Sequence, residues 1–298
     1  MNDDRIPILF DTDIGSDIDD AIALAYLLKQ PRCELLGVTT VTGHPEVRAE
    51  LANAVCQVFG AKEVPIHSGA AKPLLVPQRQ PEVPQKTVLP RYPHRNAFAP
   101  NVAVDFLRQT IRSRPGQITL LSVGPLTNIG LVFALDPEIP SLLKQYVMMG
   151  GVYVTRPAGY GVVEWNAIGD PHATAIVFAG NAPGTRCIGL DVTTRCRVPA
   201  DECRRRFSKG PLKIVGEMAE EWFKHRPEIT FHDPLAAACV FEPGLCTWQA
   251  GQVEIELHSE RLLGMTHFNP NAPTKPHQVA TDVKSEAFFE HYFGTVEA

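Results

Sequence analysis

The segment Asp11-Thr12-Asp13-Ile14-Gly15-Ser16-Asp17-Ile18-Asp19-Asp20 places five carboxylates within ten residues and contains no Lys or Arg. Carboxylates this close repel one another, and burying them unpaired is costly or forces protonation. Two devices relieve the repulsion. The N-terminus of a helix favours anions such as Asp19 and Asp20. A hard divalent cation neutralises the rest, and an all-oxygen donor set suits calcium or magnesium. The plainer reading is a solvated acidic helix start, capped by Ser16 or Asp17. It would suffice for one or two aspartates; five at one place favour a metal. An EF-hand is excluded, because Gly15 is fifth rather than sixth in the run and Ile22, not Glu, is twelfth. An Asp-x-Asp pair after a first strand also opens magnesium-dependent phosphatases, in which Asp11 would be the nucleophile. Here Ile14-Gly15 and the further carboxylates depart from that pattern.

These residues must be positioned by the elements around them. Residues 6–10 read as a buried strand and 21–28 as a buried helix, which sets the acidic run at a strand's C-terminal end. Strands over 35–41, 64–67, 118–123 and 146–149 alternate with helices over 47–59, 102–112 and 126–134. Strands apolar on both faces and separated by helices predict an α/β fold: a doubly wound, mostly parallel sheet flanked by helices. Ligands in such folds bind along the edge of strand C-termini. Further strands are expected near 252–257 and 278–283. Between Pro73 and Pro100 the chain holds seven prolines, which predicts a loop without regular helix. Because the alternation resumes after it, the loop is expected within a single domain spanning 1–298.

Composition bounds the partners. The 298 residues are 44% hydrophobic and 20% charged with a net charge of -5, which argues against a nucleic-acid or anionic-membrane partner. Arg204-Arg205-Arg206 reads as the solvated face of an exposed helix. No apolar stretch approaches the ~20 residues of a membrane span, and the polar start Met1-Asn2-Asp3-Asp4-Arg5 shows no secretory signal. Seven cysteines without a CxxC pair fit reduced, buried thiols. The expected compartment is the cytoplasm.

The acidic run resembles the Asp-x-Asp-Pro-Gly-x-Asp-Asp opening of the inosine-uridine preferring nucleoside hydrolase family. Three further landmarks occur in family order. Gly124-Pro125-Leu126-Thr127-Asn128 is similar to its Gly-Pro-Leu-Thr-Asn turn. Met149-Gly150-Gly151 with Glu164-Trp165-Asn166 and Asp170-Pro171 resembles its Met-Gly-Gly and Glu-Phe-Asn segments. His232-Asp233-Pro234 resembles its late His-Asp-Pro element.

The resemblance implies calcium-dependent hydrolysis of the N-glycosidic bond of ribonucleosides, through a metal-activated water and an oxocarbenium-like transition state. It implies that Asp13, Asp20, the Val123 carbonyl and Asp233 hold Ca2+, and that Asp13 is the general base. Asp19 and Asn166 are then expected at the ribose hydroxyls and Glu164 at the 5′-hydroxyl. Asp11 is expected to support the loop from behind, and His232 to protonate the leaving base. The resemblance also implies a homo-oligomer, dimer or tetramer, with a small nucleoside as the other partner.

Each role has a duller competitor. Asp before Pro, found at Asp136, Asp170 and Asp233, is an ordinary helix-start pattern. His232 could be a core histidine or a base-stacking residue. Glu164 and Asn166, two apart, would share one side of an extended segment and contact one ligand, or simply order a Gly-rich loop. The chain also departs from the family. Ile14 replaces Pro, the acidic loop carries two extra residues around Asp17-Ile18, and His44 and Ala158 stand where ribose-binding Asn residues are usual. The His-Gly segment before the middle helix is replaced by the proline-rich stretch through His94 and Arg95. These departures bear on sugar and base specificity. They leave open a ribosyl hydrolase acting on a nucleotide or ADP-ribosyl group, with Arg91 and Arg95 on the phosphate, and a calcium-stabilised nucleoside-binding protein without turnover.

Overall fold

A computed structural model describes residues 5–298. The polar start read at 1–4 lies outside the described residues. In chain order the first half runs β1 (Ile6–Thr12), α1 (Asp19–Lys29), β2 (Cys33–Thr40), α2 (Pro45–Val58), β3 (Ile66–Ser68), α3 (Ala103–Ser113), β4 (Thr119–Ser122), α4 (Thr127–Leu135), α5 (Ile139–Leu142) and β5 (Gln145–Met149). It continues with α6 (Trp165–Gly169), α7 (Pro171–Ala179), β6 (Thr185–Ile188), α8 (Leu190–Thr193), β7 (Arg197–Pro199), α9 (Ala200–Arg206), α10 (Leu212–Phe223) and β8 (Glu228–Thr230). The chain closes with α11 (His232–Phe241), β9 (Cys246–Ile255), β10 (Thr266–Asn269), β11 (His277–Val283) and α12 (Ser285–Val296).

Nine strands form one sheet in the order β10-β9-β11-β6-β5-β4-β1-β2-β3, and β7-β8 form a separate antiparallel ribbon. The sheet is parallel except for β9, which runs antiparallel to both β10 and β11. The mostly parallel, helix-flanked, single-domain class expected from the alternation is the class observed. The differences lie in the last third, where β9 begins six residues before the expected strand and pairs with the unanticipated β10.

Period-two alternation explains the two layers. Ile8 and Phe10 of β1 point into one core, with α1, α2, α10, α11 and α12, while Leu9 points into the other, with α3, α4 and α7. All three side chains are fully buried, so truncating Phe10 to Ala should cost ~3–5 kcal/mol. Helix α1 is buried on every side from Asp19 to Leu27, as its near-continuous apolar sequence requires.

β1 has β2 on one side and β4 on the other. The chain leaves β1 toward β2, later returning to β4, so the strand order reverses direction at β1. A crevice opens at the C-terminal ends of strands at such a reversal. The acidic run leaves β1 there.

The proline-rich segment differs from its expectation. It contains a 3-10 helix, Pro84–Arg91, a tighter turn that accommodates Pro84 in its first turn and Pro90 near its end. Rather than hanging free, it packs back onto the acidic run through bonds described below. The Arg204–Arg206 cluster lies on α9 as expected, with its arginines paired to Asp201, Glu202, Glu220 and Glu297. Six of the seven cysteines are buried and all are free thiols. Among the described residues, no helix is long and apolar enough to cross a membrane.

Candidate functional site

The turn between β1 and α1 is held by its own polar groups. Thr12 Oγ1 donates to Asp20 Oδ1, the Asp13 amide donates to the same oxygen at 3.1 Å, and the Ile14 amide donates to Thr12 Oγ1 at 3.1 Å. Gly15 has φ +119°, and a Cβ there would lie 2.5 Å from Val83, so only glycine fits. The extra residues form their own turn, in which the Ile18 amide donates to Asp17 Oδ1 at 2.6 Å. No side chain caps α1, so the capping reading for Ser16 or Asp17 is not what the fold uses.

Three carboxylates converge. Ligand oxygens from Asp19, Asp20 and Asp233 lie within 4.8 Å of one another, with each residue only 3% exposed. Asp19 and Asp20 come from the first turn of α1 and Asp233 from the first turn of α11. Burial, reinforced by mutual repulsion, holds all three carboxyls well above the ordinary range. Asp17 is raised to about 6, by burial first and by Asp13 as well. Asp13 borders the group through its amide on Asp20. Burial raises its carboxyl, while the neighbouring Arg48 charge opposes that shift.

Crowded, dry, mutually repelling oxygens are the donor set that a divalent cation would satisfy, and their all-oxygen chemistry fits calcium or magnesium. The glycine of the next turn permits the approach of Asp13: a Cβ on Gly124 would fall 2.7 Å from Asp13 Oδ1. Val123, the residue just past β4, turns its carbonyl toward Asn166, whose Nδ2 donates to it at 2.8 Å. Asp13, Val123 and Asn166 thus gather past the C-terminal ends of the paired strands β1 and β4.

Glu164 departs from its expected setting. It precedes a short helix rather than sitting in an extended segment. Its Oε1 accepts from the Asn166 amide at 2.7 Å, and its Oε2 accepts from the Ala167 and Gly151 amides at 3.1 and 3.0 Å. Three backbone donors occupy this carboxylate, so it caps α6 and ties it to the glycine turn after β5. The reason is the orphan amides at the start of α6, two of which this carboxylate accepts. Asp170 follows the helix-start reading, capping α7 at the Ala173 amide. Asp233 does not; it enters the acidic cluster.

Asp11 is fully buried. Its Oδ1 accepts from Thr39 Oγ1 at 2.5 Å and Asn128 Nδ2 at 2.8 Å, and burial raises its carboxyl to about 7. Its carboxylate has no solvent-exposed surface. His232 takes part in a bond between Nδ1 and Thr193 Oγ1 at 2.7 Å. Burial and the Arg197 charge lower its ring to about 4, so it is neutral near pH 7. His44 sits exposed at the start of α2, and Ala158 is exposed in the loop after β5. Arg91 pairs with Glu217 at 2.8 Å, and Arg95 stacks on Phe98 at 3.9 Å.

Two groups of residues escaped the sequence reading. Arg48, fully buried in α2, donates Nη1 to the carbonyls of Asp13 and Ile14 and Nε to the Thr42 carbonyl at 2.8 Å. It supplies the cation that the acidic run itself lacks. The proline-rich segment supplies Gln80, whose Nε2 donates to Asp13 Oδ2 at 2.8 Å, and Gln85, whose Nε2 donates to the Ser16 and Asp17 carbonyls at 3.1 and 3.0 Å. A lone Arg between apolar residues in a helix was the available signal for Arg48. The two glutamines carried none.

The family model for inosine-uridine preferring nucleoside hydrolases matches residues 8–290. The chain is 32% identical to the inosine-uridine preferring nucleoside hydrolase of Crithidia fasciculata over 97% of this chain and 95% of that one. It is 36% identical to the pyrimidine-specific ribonucleoside hydrolase RihA of Shewanella oneidensis over 87% and 85%. A solved purine-preferring ribonucleoside hydrolase from Gardnerella vaginalis superposes with TM-score 0.84 at 25% identity, over 97% of this chain and 98% of that one. Fold, acidic site and these likenesses define an N-glycosyl hydrolase. The chain belongs to the inosine-uridine preferring nucleoside hydrolase family.

Proposed function

We propose that this enzyme hydrolyses the N-glycosidic bond of ribonucleosides in a calcium-dependent reaction, yielding ribose and a free base. The observation that carries the reading is the buried convergence of Asp19, Asp20 and Asp233 beside Asp13 at the sheet's reversal point. Asp13, Asp20, Asp233 and the Val123 carbonyl would hold the cation, with Asp19 at its border. When bound, calcium would supply the positive charge that offsets these carboxylates and acidifies a water molecule.

The chain's own residues do the rest. Asp13 takes the proton of the attacking water. As the C–N bond breaks, positive charge grows on the sugar, and the surrounding carboxylates stabilise it. Asn166 and Asp19 orient the sugar through its hydroxyls, and Glu164 fixes the backbone that carries Asn166. His232, neutral near pH 7 and bonded at Nδ1 to Thr193 Oγ1, would hydrogen-bond the leaving base, whose proton then comes from solvent. The partners are a small nucleoside and further copies of the chain; light scattering in solution tests the second.

The test is reducing-sugar release from a panel of purine and pyrimidine ribonucleosides, with calcium and with a chelator, for wild type and Asp13→Asn. The reading requires release by wild type with calcium, and its loss on chelation and in the variant. Binding of nucleosides without any release would assign the chain a binding role instead.

A further inference from the structure

The proline-rich segment contributes one side chain that reaches the proposed base, and that side chain is held from two directions. Gln80 donates from Nε2 to Asp13 Oδ2 at 2.8 Å, while its Oε1 accepts from the indole Nε1 of Trp165 at 2.5 Å. A primary amide has one donor and one acceptor end, and here each end has a single assigned partner. The backbone of Gln80 is fixed as well. Its amide donates to Gln78 Oε1 at 2.8 Å, and its carbonyl lies 3.4 Å from Arg48 Nη2. Gln78 is itself anchored, donating to the Ala71 carbonyl at 2.7 Å.

Trp165 adds an independent observation. It lies between Glu164 and Asn166, on the short helix whose Asn166 reaches Val123. The residue is 51% exposed despite its size, while Asp13 is 5% exposed. Its indole nitrogen nevertheless has a defined partner, the Gln80 amide oxygen. The relay Trp165–Gln80–Asp13 joins three separate parts of the chain: the turn after β1, the proline-rich segment and the start of α6.

We propose that Gln80 is a positioning residue for Asp13, and that Trp165 sets the orientation of the Gln80 amide. This rests on Asp13 acting as the base proposed above. A carboxylate oxygen accepts more than one hydrogen bond, so the amide on Oδ2 fixes the carboxylate plane and leaves acceptor capacity for the water proton. Base catalysis depends on such alignment, and losing an outer supporting partner typically costs 10–100-fold.

The test uses the full chain as wild type, Gln80→Leu, Trp165→Phe and the double variant. Calorimetry with calcium alone and nucleoside turnover are measured for each. Gln80→Leu is expected to lower kcat by roughly 10–100-fold with KM nearly unchanged. Trp165→Phe should lower kcat less, and the double variant should be no worse than Gln80→Leu, because both substitutions cut one relay. The emission of Trp165, taken as the difference between wild type and Trp165→Phe, should change when calcium alone is added and should lose that response in the Gln80→Leu background. Trp165→Phe is a substitution at a half-exposed ring, which keeps the test open should Gln80→Leu fold poorly.

Unchanged kcat in both single variants, independent multiplicative losses, or a calcium response of Trp165 that survives Gln80→Leu would overturn the proposal. A raised KM with kcat intact would make Gln80 a substrate contact and overturn it too. If wild type neither binds calcium nor cleaves nucleosides, the functional reading itself has failed. If wild type does both, only the role of Gln80 is at stake.

Discussion

The backbone amide of Asp233 donates to the Asp19 carboxylate at 3.0 Å, joining residues 214 positions apart in the chain. This bond locks the start of α11 onto the start of α1 and brings the late aspartate into the early acidic run. It also crowds carboxyl groups where water is scarce, which costs stability when no cation is bound.

Removing one of these charges should therefore separate stability from function. Asp233→Asn keeps the side chain's size and removes a repelling charge. In the presence of a chelator its thermal midpoint is expected to lie above that of wild type by roughly 2–4 °C, about 1 kcal/mol for a chain of this size. Calcium should raise the midpoint of wild type and leave the variant unmoved. Scanning calorimetry with and without chelator checks both halves.

Arg48 is the opposite case. Its buried guanidinium satisfies carbonyls from the acidic run and from the turn after β2, and burial weakens its own proton affinity while Asp13 and Asp20 strengthen it. Arg48→Met leaves the carbonyls unpaired and the aspartates without their counter-charge. A loss of about 3–5 kcal/mol is expected in urea unfolding. Arg48→Lys should recover only part of it, because one ammonium cannot reproduce the planar fork.

Asp11 distinguishes hydrolysis by water from a covalent aspartyl mechanism. Asp11→Asn preserves the oxygen that accepts from Thr39 and Asn128, and it places an amide at Oδ2, an atom that lacks a hydrogen-bond partner. Nucleoside cleavage is expected to fall by no more than about tenfold, the lower end for a supporting residue. Loss of all activity, comparable to that of Asp13→Asn, would contradict this placement.

A pH effect should arise far from the site, at His277. The ring is buried between Val253, whose amide donates to Nδ1 at 2.9 Å, and the Phe178 carbonyl, 3.2 Å from Nε2. Burial lowers its proton affinity to about 4 from the usual 6.5. Between those values the unfolded chain binds the proton and the folded chain resists it. The contribution is thus intact above pH 6.5 and is lost as pH falls toward 4, by roughly 3 kcal/mol in all. Urea unfolding across that range should show a shallower decline for His277→Gln than for wild type.

The fold and the acidic loop were legible because their signals are local. β1, α1, β2 and β4 announce themselves as apolar runs, and five close carboxylates need a physical explanation in any fold. The late strands were less legible. β9 is exposed at several positions, so its pattern lacks the apolar continuity of the central strands, and β10 is only four residues long. The resemblance implies Glu164 at the ligand, and its spacing from Asn166 agrees; neither carries information about its bonds to the Asn166, Ala167 and Gly151 amides. Arg48, Gln80 and Gln85 are illegible for a related reason: their partners include backbone carbonyls, one carboxylate and one indole brought near only by tertiary folding. Sequence displays which groups need a partner, and the fold decides who supplies it.

In the proposed reaction, water breaks the N-glycosidic bond at this acidic site. The most direct measurement is turnover of a ribonucleoside in water enriched in heavy oxygen, with calcium present and inorganic phosphate absent, followed by mass analysis of the products. Label is expected in the released ribose and none in the base, with release abolished by chelator. Release that requires phosphate, or ribose without label, would contradict it.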